Sequence, residues 1–406
     1  MPSIPAMKAN RLNAVKPSMI LGLVQKARQL ATDGHPVIDL GIGEPDFETP
    51  EHIKQAAIEA IHNNETRYTV VPGTPVLRTA IINKLGRENG LAYTLNKITV
   101  SGGAKQIIYN AMMATLSSGD EVIIPAPFWS SYPDIVAIAN GKPVIVDCPQ
   151  SQGFLISPKD LEVAITPRTK WLILNSPSNP TGGVYSSEQL IEIAEVLLRH
   201  PQVHILSDDI YEHLMFDGHS FTSIVNIAPD LKERTLIVNG VSKVFAMTGW
   251  RIGYAAGPQD IITMMNVVQG QSCTHASSIS QAASVAALNG PTDFFAERTK
   301  RFQARRDVVV SALNAVEGID CLTPEGAFYV YPNCDGLIGK KTPTGRILKS
   351  DNDICDWLLE DHSVSAVPGS AFGLSPHMRI STAASTVELE EACTRISKAC
   401  AQLEDT

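Results

Sequence analysis

A lysine and an arginine stand eight residues apart, Lys243 in Ser242-Lys243 and Arg251 in Thr248-Gly249-Trp250-Arg251, shortly after an aliphatic run at 236–238. A primary amine can add to a carbonyl and can carry a proton to and from carbon, and a guanidinium forks onto an oxyanion. Two more aliphatic runs end in reactive groups. The run 171–174 enters Asn175-Ser176-Pro177-Ser178-Asn179-Pro180-Thr181-Gly182, a rigid turn that presents the Asn179 amide. The run 203–206 enters Ser207-Asp208-Asp209-Ile210-Tyr211, a carboxylate with a phenol. Either Asp208 or Asp209 could be the inward acid, because strand alternation lets only one of two neighbours face a site. Upstream, the run ending at Val100 leads into Ser101-Gly102-Gly103-Ala104-Lys105 and a helical pattern. Glycines that open a helix after a strand present backbone N–H groups to an anion. Three consecutive strand ends thus offer an amide, a carboxylate with a phenol, and an amine with a guanidinium.

The elements that must position these groups alternate in type. Short β-branched or aliphatic runs at 98–100, 121–124, 143–146, 171–174, 203–206 and 236–238 read as strands, with helical patterns such as 106–116 and 187–199 between most of them. That alternation predicts an α/β fold with a mostly parallel sheet covered on both faces, and a ligand site beyond the carboxyl ends of the strands. The C-terminal part changes character: a helix over 291–316, a run at 328–331, a helix at 352–361, runs at 364–367 and 378–381, and a last helix from 386. These read as a smaller α+β domain. The expected division is 1–47 as an N-terminal segment packing with the small domain, 48–311 as the large domain and 312–406 as the small domain. The stretch 337–349, with its Gly, Lys and Pro, reads as an exposed insertion.

Composition narrows the function classes. Across 406 residues, 44% hydrophobic and 18% charged is ordinary globular usage, and the length suits two domains. A net charge of −9 lacks the basic face that nucleic acid requires, so no nucleic-acid partner is expected. No apolar run is long enough to predict a membrane span, and Met1-Pro2-Ser3-Ile4-Pro5 does not read as a signal peptide. The seven cysteines are odd in number and none forms a Cys-x-x-Cys pair, so free thiols in a reducing cytoplasm are expected rather than a zinc or redox site. His200 and His204 have metal-ligand spacing, but Pro201 breaks the helix between them, and no metal site is predicted. Gly41-Ile42-Gly43 lacks the third glycine and the helix of a dinucleotide loop.

Taken together, the chemistry-bearing residues resemble fold-type I pyridoxal-phosphate (PLP) enzymes, and among them class I aminotransferases of the prokaryotic aspartate aminotransferase subgroup. The resemblance runs from Val15-Lys16-Pro17-Ser18 through Gly43-Glu44-Pro45-Asp46-Phe47 to Met378-Arg379-Ile380-Ser381. Its specificity lies in the combination of Asn-Pro-Thr-Gly at 179–182, Asp-x-x-Tyr at 208–211, and Ser-Lys at 242–243 followed by Arg251. It implies a large domain with a mostly parallel seven-stranded sheet sandwiched by helices, plus a smaller α+β domain. It implies that Lys243 holds pyridoxal 5′-phosphate as a Schiff base, that Asp208 pairs with the pyridine nitrogen, and that Tyr211 and Asn179 bond the phenolic oxygen. Trp129 would stack on the ring, and Gly103, Ala104, Lys105 and Arg251 would receive the phosphate. Tyr68 would serve the phosphate of the neighbouring subunit, making the active unit a homodimer. For the substrate, the resemblance implies Arg379 at the α-carboxylate, Gly43, Trp129 and Asn179 beside it, and the Lys105 side chain at a second carboxylate. The implied reaction is ping-pong transfer of an amino group between an L-amino acid, aspartate foremost, and a 2-oxo acid, 2-oxoglutarate foremost. Aromatic, prephenate or other substrates, or a PLP-dependent lyase activity, would use the same cofactor site. A Rossmann dehydrogenase fits the sheet pattern but explains none of Lys243, Asp208 or Arg379.

Some positions depart from that subgroup. Met19-Ile20 follow Lys16-Pro17-Ser18 where a small residue and threonine are usual, Ala282 stands where tryptophan is frequent, and Thr382 where tyrosine is frequent. His275, in Ser272-Cys273-Thr274-His275-Ala276, reads as a substrate contact or, more simply, as a structural residue. These departures bear on side-chain preference and not on the cofactor chemistry.

Overall fold

The computed structural model describes residues 8–15, 17 and 19–405. Residues 1–5 of the N-terminal reading, and Lys16 and Ser18 of the Lys16-Pro17-Ser18 motif, lie outside the described residues. The centre of the molecule is a seven-stranded sheet: β1 (Ile98–Ser101), β2 (Glu121–Ala126), β3 (Lys142–Asp147), β4 (Thr169–Asn175), β5 (His204–Asp208), β6 (Thr235–Gly240) and β7 (Gly253–Ala256). Their order across the sheet is β1-β7-β6-β5-β4-β2-β3, with β7 antiparallel to both neighbours and the other pairings parallel. The architecture is α/β and mostly parallel, as the alternation predicts.

Why these runs form strands is visible in their burial. In β4, Trp171 and Ile173 enter the hydrophobic cluster on one face while Leu172 and Leu174 enter the cluster on the other. A strand covered on both faces reads as a continuous apolar run. One face carries helices α1 (Ala104–Thr115) and α2 (Gln259–Gly270); the other carries the helices Pro75–Asn89 and Ser187–Arg199. Helix Ser187–Arg199 begins with a capping box, the Ser186 hydroxyl and the Gln189 side chain each taking up an N-terminal amide of the other residue. The seventh strand, β7, is the one that no aliphatic run located. It opens on Gly253 and carries two alanines, so it lacks a β-branched signal.

The C-terminal part has its own core. Val309, Leu313, Trp357, Leu358, Ile380 and Leu389 belong to one cluster, which Leu40 of the N-terminal segment joins. A three-stranded antiparallel sheet sets Met378–Ser381 between Val367–Pro368 and Tyr329–Val330. The strand Ile38–Asp39 pairs in parallel with Val364–Ser365. The expected exposed insertion at 337–349 is corrected in part. Leu337 and Leu348 are 1% and 0% exposed and pack into that core, and Lys341 exchanges backbone hydrogen bonds with Glu404. The polar letters between the two leucines hide this anchoring in the sequence. The histidine pair does not meet: His200 follows the helix end and bonds Glu162 at 2.8 Å, while His204 lies in β5 against Trp171.

A buried charge network ties the strand exits together. Glu212, just past β5, accepts hydrogen bonds from Lys84 of helix Pro75–Asn89, from Asn89 at 2.6 Å and from Asn239 of β6 at 2.6 Å. Lys84 and Glu212 are 1% and 6% exposed. Removing one member of such a pair leaves a desolvated charge without a partner. Glu212→Ala is therefore expected to destabilise the fold by about 3–5 kcal/mol, read as a lowered denaturant midpoint. A loss below about 1 kcal/mol would mean that the pair behaves as a solvated one.

Candidate active site

Parallel pairing brings the strand ends to one edge. Asn175 at the end of β4 pairs with Asp208 at the end of β5, and Asp208 with Val238 of β6. Beyond that edge lies a cavity of about 290 Å³ walled in part by Lys105, Trp129, Asp208, Tyr211, Lys243 and Arg251. Six groups that lie far apart along the chain thus share one space.

Of the two neighbouring acids, Asp208 faces the cavity and Asp209 does not; Asp209 turns to the Ser207 hydroxyl at 2.6 Å. Asp208 is 4% exposed and accepts a hydrogen bond from the Tyr132 hydroxyl at 2.7 Å on Oδ2. Its Oδ1 is buried with no partner among the described residues. Burial pushes the Asp208 carboxyl up to about 6, against the opposing pull of Tyr132, the Ile210 amide and the Lys243 amine. Asn175 steadies the turn by donating to the Asp208 carbonyl at 2.8 Å and accepting from the Asn179 amide at 2.9 Å.

Lys243 sits in the loop after β6, and its Nζ donates to the Gly43 carbonyl at 2.8 Å. Two arginines of the long helix Phe294–Asn314, here α3, hold the segments that meet at this bond. Arg298 donates to the carbonyls of Val244 at 2.7 Å and Glu48 at 2.8 Å. Arg305 clasps the Asp46 carboxylate with both terminal nitrogens, at 2.8 and 2.6 Å.

The turn expected to receive an anion lies at the start of α1. Gly103 adopts φ +101°, a conformation that disfavours a side chain, and a Cβ there would also overlap the Arg251 guanidinium. Arg251 donates to the carbonyls of Thr248 at 2.8 Å and Gly102 at 3.1 Å, which lays its guanidinium against the first turn of α1. Ala104 and Lys105 occupy that turn, whose amides have no intrahelical acceptor. The Lys105 amine lies over the Trp129 ring at 4.9 Å and makes no ion pair among the described residues. Burial first, then Arg251, lowers its pKa.

Asn179 lines the cavity, and Arg379 lies behind it, outside the lining residues. The Asn179 Oδ1 accepts from Arg379 at 3.0 Å, and Arg379 also donates to the Gly41 carbonyl at 2.5 Å. Arg379 is 3% exposed, its Nε is without a partner, and it makes no ion pair among the described residues. Desolvation pulls its pKa below the ordinary guanidinium value. A buried cation in that state is a ready receptor for a carboxylate.

Tyr68 is not brought to this cavity. It is 91% exposed and meets the His275 ring edge-on at 5.7 Å, on a separate hollow that Ala282 also lines. His275 accepts from the Thr69 amide at 3.3 Å, which ties it to that turn. Met19 is half-exposed on helix Met19–Thr32, Ile20 packs beside Phe372, and Thr382 is buried after Met378–Ser381 with its hydroxyl unpartnered among the described residues. Sequence reasoning missed Tyr132, which lines the cavity beside Asp208, and Tyr329, which lies behind Tyr211. Tyr132 carries a faint signal, three residues after Trp129 in a run that starts a helix; Tyr329 has none beyond being an aromatic in a short strand.

The chain matches the model of the aminotransferase class I and II family over residues 35–396. It is 58% identical over 395 residues to an aspartate aminotransferase of Rhizobium meliloti, covering 97% of this chain and 96% of that one. It is 53% identical to the aspartate/prephenate aminotransferase of Cereibacter sphaeroides, covering 98% and 100%. The crystal structure of the Rhizobium meliloti aspartate aminotransferase superposes with a TM-score of 0.95 at 57% identity, over 98% of this chain and 99% of that one. The Thermus thermophilus aspartate aminotransferase with maleate superposes at 0.90 with 38% identity, over 97% and 99%. A match spanning nine-tenths of the sequence, on a sheet whose strand ends converge as described, establishes that this chain belongs to the class I and II aminotransferase family and is an enzyme of that kind.

Proposed function

We propose that the enzyme holds pyridoxal 5′-phosphate on Lys243 and moves an amino group between L-aspartate and 2-oxoglutarate. One observation carries the cofactor reading: the unpartnered Oδ1 of Asp208, buried in the same cavity as the Lys243 amine. A buried carboxylate oxygen with no donor suits a ring nitrogen that carries a proton. The other groups fit the rest of the molecule. The Lys243 amine suits the carbonyl carbon, the amides of Gly103, Ala104 and Lys105 with Arg251 suit the phosphate, and the Trp129 face suits the ring. Since Arg379 occupies the Asn179 oxygen, the Asn179 amide nitrogen is left to donate, with Tyr211, to the phenolic oxygen.

When bound, PLP supplies an electrophilic carbon for the substrate nitrogen and a conjugated ring that takes up the electron pair left at Cα. Arg379 receives the α-carboxylate and fixes the substrate's orientation beside Gly43. The Lys243 amine removes the Cα proton and returns it two atoms away, to the carbon beyond the substrate nitrogen. Asp208 keeps the ring nitrogen protonated throughout. Lys105 receives the second carboxylate of a dicarboxylic substrate. The maleate of the Thermus thermophilus structure is itself a dicarboxylate, which supports that preference. The likeness to the Cereibacter sphaeroides enzyme supports prephenate as a further amino acceptor.

The working unit is a homodimer in which Tyr68 serves the partner's site; its exposure, and that of Val70 and Val76 at 52% and 64%, supports a covered surface there. The seven free thiols support a cytoplasmic setting. The separate hydrophobic clusters support a division into 48–311 and a small domain of 1–47 with 312–406, the boundary falling within α3.

Borohydride reduction of the PLP-loaded enzyme is expected to fix the label on Lys243 alone, and L-aspartate without an acceptor is expected to convert the bound cofactor to its amine form. A label on another lysine, or ammonia release in place of that conversion, overturns the reading.

The raised carboxyl of Asp208 gives a pH signature. The folded chain holds this proton up to about pH 6, against an ordinary 3.8, so it binds the proton more tightly than the unfolded chain does. The group's stabilising contribution is therefore complete below pH 4 and lost as pH rises through 6. Cofactor-free Asp208→Asn should melt above cofactor-free wild type at pH 7.5, with the gap closing toward pH 5, while the loaded variant loses at least about a hundredfold in its half-reaction. A gap that ignores pH removes the ionised, unpartnered carboxylate from the account.

Lys105→Ala is expected to lower kcat/KM for aspartate and glutamate by about tenfold to a hundredfold, with alanine and phenylalanine much less affected. An equal loss for all four would place Lys105 with the phosphate alone.

A further inference from the structure

Tyr329 does not line the cavity, yet it touches three of the groups that do the work. Its hydroxyl bonds the Tyr211 hydroxyl at 2.9 Å. The Arg379 guanidinium lies 4.7 Å from the centre of its ring. Its hydroxyl also presses on Gly43, where a Cβ would overlap it, and Gly43 is the residue whose carbonyl holds the Lys243 amine. Tyr329 is 2% exposed, on the strand Tyr329–Val330 beside Met378–Ser381.

The direction of the phenol pair follows from what each hydroxyl can reach. Tyr211 borders the cavity and can donate into it. The Tyr329 hydroxyl has the Tyr211 hydroxyl as its one hydrogen-bond partner among the described residues. An acceptor in the cavity therefore takes the Tyr211 proton, and the Tyr329 proton goes to the Tyr211 oxygen. Donation to a phenol oxygen makes that phenol the stronger donor, because hydrogen bonds in a chain polarise one another. A cation against the Tyr329 ring acts in the same sense, drawing electron density from the first phenol of the chain.

We propose that Tyr329 is a positioning residue that aims the Tyr211 hydroxyl into the cavity and strengthens it as a donor, through a relay running from Arg379 to Tyr329 to Tyr211. The inference rests on the reading that Tyr211 donates to the phenolic oxygen of bound PLP. Weaker donation leaves that oxygen more basic, so the bound cofactor keeps its proton to higher pH.

The test is the pH titration of the visible absorbance of the PLP-loaded enzyme. Tyr329→Phe keeps the ring and removes the relay, and should raise the midpoint by about half a unit. Tyr329→3-fluorotyrosine keeps shape and hydroxyl but has a more acidic phenol, and should lower the midpoint; this variant serves should Tyr329→Phe not fold. In a Tyr211→Phe background neither change should move the midpoint further, whereas a purely structural effect would persist. Midpoints equal to wild type in both single variants, or shifts unaltered by Tyr211→Phe, overturn the relay. A wild-type enzyme with no visible PLP band would instead overturn the cofactor reading itself, which separates the two failures.

Discussion

Two opposite charges, each nine-tenths or more buried and neither in an ion pair among the described residues, set the terms for this molecule. Asp208 and Arg379 keep few polar partners: one hydrogen bond from Tyr132 to the acid, two from the guanidinium to Asn179 and Gly41, and the rings of Tyr329 and Phe372 against the guanidinium. Desolvation of such groups costs several kcal/mol each. The surrounding packing must offset that cost, which accounts for the stiffness of what surrounds them. Asp208 ends a central strand flanked on both sides, and Arg379 sits in the middle strand of its own small sheet. Neither can turn away to find a partner or a water. On the proposed function, a ligand with a protonated ring nitrogen and one with a carboxylate would complete, from outside, the pairs that the fold leaves open.

The two charges belong to different hydrophobic cores, and a few polar contacts register one against the other. Arg379 reaches Asn179 in the turn after β4, Lys243 reaches Gly43 in the N-terminal segment, and Arg298 binds both sides of that same junction. Contacts of this kind are directional and sparse, unlike the apolar packing within each core. They fix angle and distance without gluing the parts together.

Most of the site is legible in the sequence because its chemistry sits at strand ends, and strand ends are marked by the switch from aliphatic to polar letters. Asn179, Asp208 and Lys243 follow three such switches, and the parallel order that aligns them follows from the alternation of elements. The choice between Asp208 and Asp209 is not in the local alternation; the family resemblance alone points to Asp208, and in the fold Asp208 lines the cavity while the Ser207 hydroxyl holds Asp209 aside. Tyr132, with its faint signal, and Tyr329, with none, are hard to read for another reason. Each acts through a neighbour's side chain, so its importance depends on a distance between elements 76 and 118 positions apart. The strand β7 hides because its role requires small residues. Gly253 lets the backbone of α1's first turn approach so closely that a Cβ would overlap it, and alanines do not announce a strand.

The helix α3 runs 21 residues from Phe294 to Asn314, and its two halves live in different cores: Phe294 and Phe295 pack with the large sheet, Val309 and Leu313 with the C-terminal cluster. At 1.5 Å per residue it is about 31 Å long, so a bend of about 5° at its middle swings either end by about 1.4 Å. That is enough to carry the 3.0 Å Arg379–Asn179 hydrogen bond out of range. The helix is thus a mechanical lever. A distortion too slight to disturb either core is enough to break a contact between them, so the straightness of α3 governs how the two cores meet at Arg379 and Asn179.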